Sequence, residues 1–478
     1  MRNGQGIVKT KYINRLLMVF LGGIVLARRL EFNNEYNLVW CIVAVTPLLC
    51  YKSLKLSKLS LLLLFLLLGL WRGTNQMNHL KEYNSLLRHK VTIIAKAKSD
   101  AVYSEHSQLE FEVGNFRVID PIRKHLIGAI TIRGYGTPMI YKDDIVQVTA
   151  KIYPTRGSKQ AVMSFAKIEV LKRDKSVINN LRRYFSSGMH SAIPEPLSSF
   201  GLGLLIGQRA TLPEEVNQQL SKVGLTHIVA VSGYNLTILI QFVLRLFSNR
   251  SKYQLTVFTI LFIGLFLLIT GFSASIVRAS VVSLLSIWAW FYGRKFRALM
   301  LLLLSASLTA GFYPIYIWSD IGWYLSFLAF FGILVIAPTI NSRFFNDKPS
   351  KILRQLLTET FSAQILTLPL ILYIFGKLSL FALAANMLVV PFVSIAMGFC
   401  FVSGIVGAMI PSMAGWFSFP TVLVLNYMLD VTKMISQIPM ASIEIQFTLL
   451  QTIFCYALIL FVVLVWWNKL SIGDKIKI

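Results

Sequence analysis

Residues 255–270 read LTVFTILFIGLFLLIT, a run without a single charged side chain. A helix needs about 20 predominantly apolar residues to cross roughly 30 Å of hydrocarbon, and this run approaches that length. Comparable runs recur at 59–70 and 453–467. The stretch therefore decides the fold class, which we predict to be a polytopic α-helical membrane protein.

The composition agrees with that class. Of the 478 residues, 55% are hydrophobic and 14% are charged, whereas soluble domains carry about 25% charged residues. The 47 Lys and Arg against 21 Asp and Glu give a formal net charge of +26. A polyanionic partner fits this excess, and so does the ordinary enrichment of Lys and Arg in the cytoplasmic loops of polytopic proteins.

The chain opens with apolar stretches at 16–27, 38–51 and 57–71. We predict that residues 1–71 form N-terminal transmembrane helices. Basic residues precede the first stretch and separate the second from the third. Because Lys and Arg favour the cytoplasmic side, the N-terminus is predicted in the cytoplasm. The next segment then lies outside the cell membrane.

Residues 72–190 form the long polar part of the chain, with 20 Lys and Arg against 10 Asp and Glu. Turn signals such as Asp120-Pro121 separate runs of β character. Five short strands are typical of a small OB-like β-barrel, a fold that often binds single-stranded nucleic acid. We predict an extracytoplasmic OB-like β domain with strands at 91–98, 109–119, 129–134, 145–153 and 161–171.

The remainder of the chain divides at about residue 225. Residues 191–225 are amphipathic, because Arg209, Glu214 and Lys222 interrupt apolar residues, which predicts helices lying on the membrane surface. Apolar runs return in 226–470, which we predict to be a helical channel domain of about nine to eleven crossings.

Arg278 is the clearest polar residue inside an apolar run. Charged side chains at membrane depth are costly and face protein or water. We therefore predict that Arg278 places a fixed positive charge beside a path for anions. A structural Arg, paired with a distant acid such as Asp320 or extending to the interface, explains the position equally well.

Further polar residues interrupt the apolar runs at 227–235, 320, 364 and 386. Small and amide residues at such positions line cavities or form ordinary interhelical hydrogen bonds, and the residues alone leave both readings open. The complete set of candidates for lining or gating a pore is His227, Ser232, Gly233, Asn235, Arg278, Asp320, Gln364 and Asn386.

Several enzyme motifs are missing from the sequence. It contains no GxxxxGK[ST] loop for ATP, and its six histidines form no HExxH-type cluster. The four cysteines lie in apolar segments, which favours packing over disulfides or a metal site. We therefore predict a conduit and not an enzyme, without cofactor or metal. The cysteines are Cys41, Cys50, Cys400 and Cys455.

An ordered series of short motifs runs through the second half of the chain: 201–209 (GLGLLIGQR), 227–233 as H-x4-S-G, 271–279 ending in Arg-Ala, 320–329 (DIGWYLSFLA), and Asn386 with Pro391. In order and spacing the series resembles the competence domain of the ComEC/Rec2 family, bacterial inner-membrane proteins associated with importing transforming DNA. The resemblance covers 194–467, and the first 190 residues fit the family's N-terminal helices and OB-like domain.

The resemblance implies a channel that translocates single-stranded DNA during natural transformation. Its implied partners are single-stranded DNA, membrane lipids, and a separate DNA receptor, nuclease and cytoplasmic motor, while a homo-oligomer stays open. Many members end in a metallo-β-lactamase-like domain proposed to degrade one strand. This sequence stops before such a domain, so a separate nuclease is expected to act. Two alternatives remain: a transporter for a polysaccharide or lipid precursor, and a non-transporting membrane scaffold.

Overall fold

The protein is described by a computed structural model over residues 2–30, 54–103, 108–121, 123–134, 140–155, 159–174, 176–208, 211–229, 233–270, 274–293, 298–345 and 352–469. The chain forms two compact units. The barrel unit comprises Met1–Arg173 and Phe296–Tyr324, and the helical unit comprises Asp174–Lys295 and Leu325–Ile478.

Helices make up most of the described chain. A π-helical segment, Gly332–Ile336, joins α12 to α13 as defined below, and a 3-10 turn, Pro411–Met413, precedes α16. The helices are α1 (Arg2–Ala27), α2 (Leu54–Asn84), α3 (Val177–Ala192), α4 (Leu197–Ile206), α5 (Glu214–Lys222), α6 (Thr226–Val229), α7 (Gly233–Leu246), α8 (Lys252–Thr270), α9 (Ala274–Phe291), α10 (Ala298–Phe312), α11 (Ile315–Ser319), α12 (Ile321–Phe331), α13 (Ala337–Phe345), α14 (Ile352–Phe375), α15 (Ala382–Met409), α16 (Ala414–Ser436) and α17 (Leu449–Lys469).

Membrane-spanning helices are present, which confirms the predicted fold class. Within the described ranges, five helical segments are long and apolar enough to cross a membrane: Lys58–Asn84, Lys252–Thr270, Ile321–Ser342, Arg354–Phe375 and Ala382–Met409. Beyond residue 226, the described ranges contain four of these segments and four shorter apolar helices, whereas the sequence predicts nine to eleven crossings there. The apolar stretch predicted at 38–51 lies outside the described residues.

The strands close a small barrel, as the sequence predicts. The pairing order is β1-β5-β6-β4-β3, and β3 pairs back to β1. All neighbours are antiparallel except β4 and β6. The two-residue strand β2 extends the edge at β3. The strands are β1 (Lys90–Ala97), β2 (Val102–Tyr103), β3 (Leu109–Asp120), β4 (Lys124–Gly134), β5 (Ile145–Pro154) and β6 (Ala161–Lys172), with a separate hairpin of β7 (Lys377–Ser379) and β8 (Ser442–Glu444).

Strand β6 departs from the alternation that fills the barrel. Ala161 and Met163 point inward and are fully buried, so a period of two places Phe165 inside as well. Instead Ala166 is buried and Phe165 is 73% exposed. A β-bulge explains the change of phase, because two residues of β6 lie opposite Ala150 where the register shifts. Phe165 has φ 54°, a left-handed conformation that costs a non-glycine residue about 1–2 kcal/mol.

Helix α2 reaches from the apolar segment into the barrel. It ends at Asn84, so the domain boundary predicted at residue 72 falls inside it. Near its end, the Tyr83 ring meets Phe116 edge to face at 6.0 Å between centroids. The Tyr83 hydroxyl donates to the Ile127 carbonyl at 3.0 Å. The helix and the barrel therefore share one hydrophobic core.

Helices α1 and α2 approach each other through glycine. A Cβ added at Gly23 would lie 3.0 Å from the Leu70 nitrogen and 3.1 Å from the Gly69 Cα. Backbone atoms cannot move aside as a flexible side chain can. Such small-residue contacts are the usual means by which membrane helices pack closely. The adjacent Gly22 has no atom within 4 Å of its added Cβ.

Arginine side chains at the end of α1 and within α2 form hydrogen bonds to α10 and α11. Arg72 donates from Nε to the Gly311 carbonyl and from Nη2 to the Phe312 carbonyl, both at 2.7 Å. Arg28 donates to the Trp318 carbonyl at 2.8 Å. The last carbonyls of a helix lack intrahelical donors. Arg72 therefore supplies donors to the last carbonyls of α10, and Arg28 supplies one to a carbonyl of α11.

The helical unit is built around α4. All ten residues of α4 are buried, and they belong to one hydrophobic cluster with α15 and α16. A helix lying on the membrane surface would keep a solvated polar face. Helix α4 thus packs inside the protein, not on the membrane surface as predicted for 191–225. Helix α5 is amphipathic as expected, but its buried Val216 and Leu220 join the same protein core.

Helix α3 also packs in this unit. An added Cβ at Gly188 would lie 2.6 Å from the Ala408 nitrogen on α15. Ser418 on α16 donates to the Ala192 carbonyl at 2.5 Å. The polar domain predicted at 72–190 therefore includes a helix that contacts α15 and α16, while the strands end at Lys172.

A buried carboxylate holds the loop before β5. Asp144 is 0% exposed, and its Oδ2 accepts from Arg173 Nη1 at 2.8 Å and from the Tyr141 nitrogen at 3.1 Å. The neighbouring Asp143 forms a more exposed pair with Lys96 at 2.9 Å. Burial makes the first pair important for stability and leaves the second one weak.

We expect Gly23→Ala to lower the free energy of unfolding by about 1–3 kcal/mol, because the added methyl group overpacks a backbone contact. Gly22→Ala is the matched control, and it should be neutral or stabilise the helix by up to about 1 kcal/mol. Thermal unfolding of the detergent-solubilised protein measures both. Equal effects of the two substitutions would show that the helices do not meet at Gly23.

We expect Asp144→Asn to destabilise the barrel by about 2 kcal/mol, since a hydrogen bond between charged groups is lost in a buried place. Amide hydrogen exchange in β1 and β5 should then accelerate roughly 30-fold, as 1.4 kcal/mol corresponds to a factor of ten. Asp143→Asn, the adjacent control, should change exchange little. Identical exchange in both variants would contradict a structural role for the Asp144 pair.

Candidate functional site: polar residues around the start of α7

The structure places most of the predicted polar candidates in the helical unit. Asn235 and Arg278 lie on helices that meet at the start of α7, whereas Gln364 lies half-buried on α14 and Asp320 belongs to the barrel unit. Ser232 lies outside the described residues. We use the name polar group near α7 for the candidates of this unit on α6, α7, α9 and α15, which are His227, Gly233, Asn235, Arg278 and Asn386.

Asn235 connects α7 to the buried helix α4. Its side chain is 1% exposed, and Nδ2 donates to the Leu204 carbonyl at 2.8 Å. Leu204 is in the last turn of α4, where carbonyls have no intrahelical donor. Asn235 therefore satisfies a backbone group that would otherwise be left unpaired by the end of the helix.

Because Gly233 has no side chain, the start of α7 packs closely against α9. A Cβ added at Gly233 would lie 3.1 Å from the Ala279 Cβ. Ala279 follows Arg278, whose side chain is 4% exposed. A guanidinium at that depth is costly in hydrocarbon and is tolerated among polar groups or water. The geometry thus places the start of α7 beside a buried positive charge.

His227 lies at the surface of the helical unit yet among many protein atoms. Its side chain is exposed, and Nδ1 is 3.1 Å from the Gly224 carbonyl. Desolvation by the surrounding protein lowers the pKa of His227, and the hydrogen bond to Gly224 opposes this shift.

Gly224 brings α6 to the first turn of α15. It has φ 76°, a conformation that favours glycine, and an added Cβ would lie 3.0 Å from the Ala382 Cβ. Asn386 lies one turn further along α15. Its Oδ1 is buried and accepts no hydrogen bond within the described part of the chain. A buried acceptor of this kind is costly and is a natural contact for water or a ligand.

The other candidates have different surroundings. Asp320 Oδ1 accepts from the Trp323 nitrogen at 3.0 Å, which is the contact of a helix N-cap at the start of α12. Its described role is therefore structural. Gln364 is half-buried, and its backbone carbonyl accepts from Thr367 Oγ1 at 3.3 Å. Neither residue is brought to the start of α7 by the described contacts.

A second polar cluster was missed by the sequence reasoning. His190 Nδ1 is 3.0 Å from Ser198 Oγ and 2.9 Å from Glu195 Oε1. The hydroxyls of Ser198 and Ser199 donate to the same carboxylate oxygen at 2.7 and 2.9 Å. A catalytic triad uses both nitrogens of its histidine, whereas His190 meets both partners through one nitrogen. The cluster ties α3 to α4, and its signal is three polar residue types within nine positions.

Metal ligands are not grouped in the described part of the chain, where no set of three or more His, Cys, Asp or Glu side chains could hold an ion. Cys400 is buried and Cys455 is partly buried, and both are free thiols. Cys41 and Cys50 lie outside the described residues. The chemistry available near α7 is therefore hydrogen bonding and positive charge.

The region that contains these residues matches a known protein family. The profile of the competence protein family matches residues 204–470. ComE operon protein 3 of Bacillus subtilis (strain 168) is 27% identical over 240 residues, which cover 49% of this chain and 29% of that protein. The match thus spans less than a third of the relative's length. No solved structure matches the chain significantly.

We expect Asn235→Leu to lower the free energy of unfolding by about 1–3 kcal/mol, because the Leu204 carbonyl loses its donor in a buried place. Thr237→Val is the control on the same helix, since the exposed Thr237 hydroxyl donates only within α7, to the Gly233 carbonyl at 2.9 Å. Thermal unfolding in detergent should separate the two variants. A loss for Thr237→Val as large as that for Asn235→Leu would contradict the bridge to α4.

Proposed function

Because this chain belongs to the competence protein family of ComEC/Rec2 type, we propose that it conducts a single strand of DNA across the cell membrane during natural transformation. The observation that carries the proposal is that the helices of the buried Asn235 and Arg278 meet at Gly233 and Ala279. The loop before α6, which carries His227, approaches α15, which carries Asn386, at Gly224 and Ala382. These residues come from motifs far apart in the sequence, and all lie within the matched region.

The proposed path runs beside these polar side chains. A strand of DNA carries one phosphate charge per nucleotide, and a buried arginine can stabilise such a charge during its passage. Amide groups can form hydrogen bonds to phosphate, sugar or base without holding the strand by charge, and the imidazole of His227 adds a further hydrogen-bonding group. Weak contacts of this kind permit entry and release, as conduction requires.

The barrel contributes a surface for the nucleic acid. OB-like barrels are widely used for single strands, and the net charge of +26 suits a polyanion. We propose that the barrel is extracytoplasmic and the N-terminus cytoplasmic, as the basic residues around the first helices indicate. The barrel would then meet DNA before the helical unit does.

Other components would supply the remaining steps. The sequence has no P-loop, so a cytoplasmic motor or an ion gradient would drive the strand. A separate receptor would capture duplex DNA and a separate nuclease would degrade one strand. A homo-oligomer is compatible with this scheme. The rival proposals are a transporter for a polysaccharide or lipid precursor and a scaffold that transports nothing.

We expect Arg278→Gln to reduce uptake of fluorescent DNA about tenfold or more, the change given by losing roughly 1.4 kcal/mol of stabilisation of a passing phosphate. The assay uses a competent strain that lacks its own copy and carries this chain. Arg245→Gln is the matched control, because Arg245 is an exposed residue at the end of α7.

Immunoblotting of membranes verifies that both variants accumulate equally. Normal DNA uptake in the deletion strain would favour a different cargo. Normal uptake by Arg278→Gln at equal abundance would remove the buried charge from the path and favour a scaffold.

A further inference from the structure

The outer surface of strands β1, β5 and β6 carries an unusual pair of lysines. Lys90 and Lys151 lie directly opposite each other on neighbouring strands, and both are exposed. Like charges in directly opposed positions destabilise a sheet. Within the described residues, neither lysine lies in a salt bridge. An anionic ligand would remove this repulsion.

Aromatic rings lie beside the lysines. Lys151 is opposite Ser164 on β6, and the next residue is Phe165, which the β-bulge turns outward. Tyr153 lies two positions after Lys151 on the same face of β5 and is 39% exposed. We call Lys90, Lys151, Tyr153 and Phe165 the lysine–aromatic face.

The neighbouring charges are already compensated. Lys167 pairs with Glu169 at 3.1 Å. On the other side of the barrel, Glu110 pairs with Arg133 at 2.9 Å and Glu112 pairs with Lys159 at 2.5 Å. OB folds commonly bind their ligand on the second and third barrel strands, which are β3 and β4 here. Among the described residues, the two directly opposed lysines without a salt bridge lie instead on β1 and β5.

We propose that the lysine–aromatic face binds single-stranded DNA, with Phe165 stacking on a base and Lys90 and Lys151 contacting phosphates. This inference rests on the proposed function and assigns its first contact to named residues. Phe165 occupies a left-handed position of a bulge at which glycine is preferred. The unfavourable conformation is retained because it presents the ring to a base.

The chemistry favours nucleic acid over a lipid surface. A membrane anchor needs a contiguous apolar area, whereas Ser164 precedes Phe165 on β6 and polar Thr149 and Thr92 lie on the neighbouring strands β5 and β1. Aromatic rings beside cations are the arrangement by which proteins hold single strands, since every base offers a face for stacking. A duplex hides those faces, so the proposed site prefers unpaired DNA.

The test measures binding of fluorescent oligothymidylate to the full-length protein in nanodiscs. Phe165→Gly should weaken binding by about 5- to 150-fold, the range for loss of one stacked base. The same substitution should raise the unfolding temperature of the barrel, because glycine adopts φ 54° without strain. Weaker binding by a more stable protein cannot result from misfolding. Phe165→Trp should restore binding.

Salt dependence tests the lysines. Lys90→Gln and Lys151→Gln should each reduce the slope of log affinity against log salt by about 0.7, the value for one phosphate contact on a single strand. Lys124→Gln is the matched control, because Lys124 is paired with Glu82 at 3.0 Å. Ile127→Ala controls for the loss of an exposed apolar residue from the barrel.

The outcomes separate this inference from the proposed function. If the wild-type protein bound no DNA, the proposed function would fail with it. If the wild-type bound and the Phe165 and lysine variants matched Lys124→Gln and Ile127→Ala, the face assignment alone would be wrong. Affinity for oligothymidylate unchanged by Phe165→Gly, together with a Phe165-dependent response to anionic lipid in the nanodiscs, would assign the face to lipid and overturn the proposal.

Discussion

A polar group inside a membrane must find its partner within the protein or in enclosed water, because hydrocarbon offers neither donor nor acceptor. The described helices meet this requirement at their ends. Arg72 donates to two carbonyls at the end of α10, and Asn235 donates to the carbonyl of Leu204 at the end of α4. The same requirement makes Arg278 and Asn386 informative, since their buried polar atoms lie where lipid could not accommodate them.

Much of the fold could be predicted from the sequence because two strong periodic signals were present. Uninterrupted apolar runs indicate membrane helices, and the β-like runs at 145–153 and 161–171, bounded by turn signals, indicate barrel strands, which the structure confirms to within one residue. Alternation could not predict the outward Phe165, since a bulge changes the phase without leaving a glycine as a signal. The burial of α4 was also missed, because the charges near it belong to neighbouring segments and not to the helix.

The candidate site was predictable in part for a related reason. The free-energy cost of placing polar side chains in hydrocarbon pointed to Arg278 and Asn235. The structure brings their helices together through Gly233 and Ala279. The same reasoning selected Asp320, which the structure uses to cap α12. The free-energy cost of burial identifies a polar residue that needs a partner. Only tertiary contacts distinguish a residue that caps a helix from one that lies beside a transport path. The His190 cluster was overlooked because it joins helix ends and lies in no apolar run.

In the proposed mechanism, the polar group near α7 borders water and, during transport, a DNA strand. Labelling of His227→Cys with a small membrane-impermeant thiol reagent, in vesicles and after replacement of the four native cysteines, tests it directly. Phe461→Cys, on an exposed apolar position of α17, supplies the lipid-facing reference. We expect position 227 to react much faster than position 461 and to be protected by single-stranded DNA. Equally slow reaction at both positions, unaffected by DNA, would contradict a hydrated path beside His227.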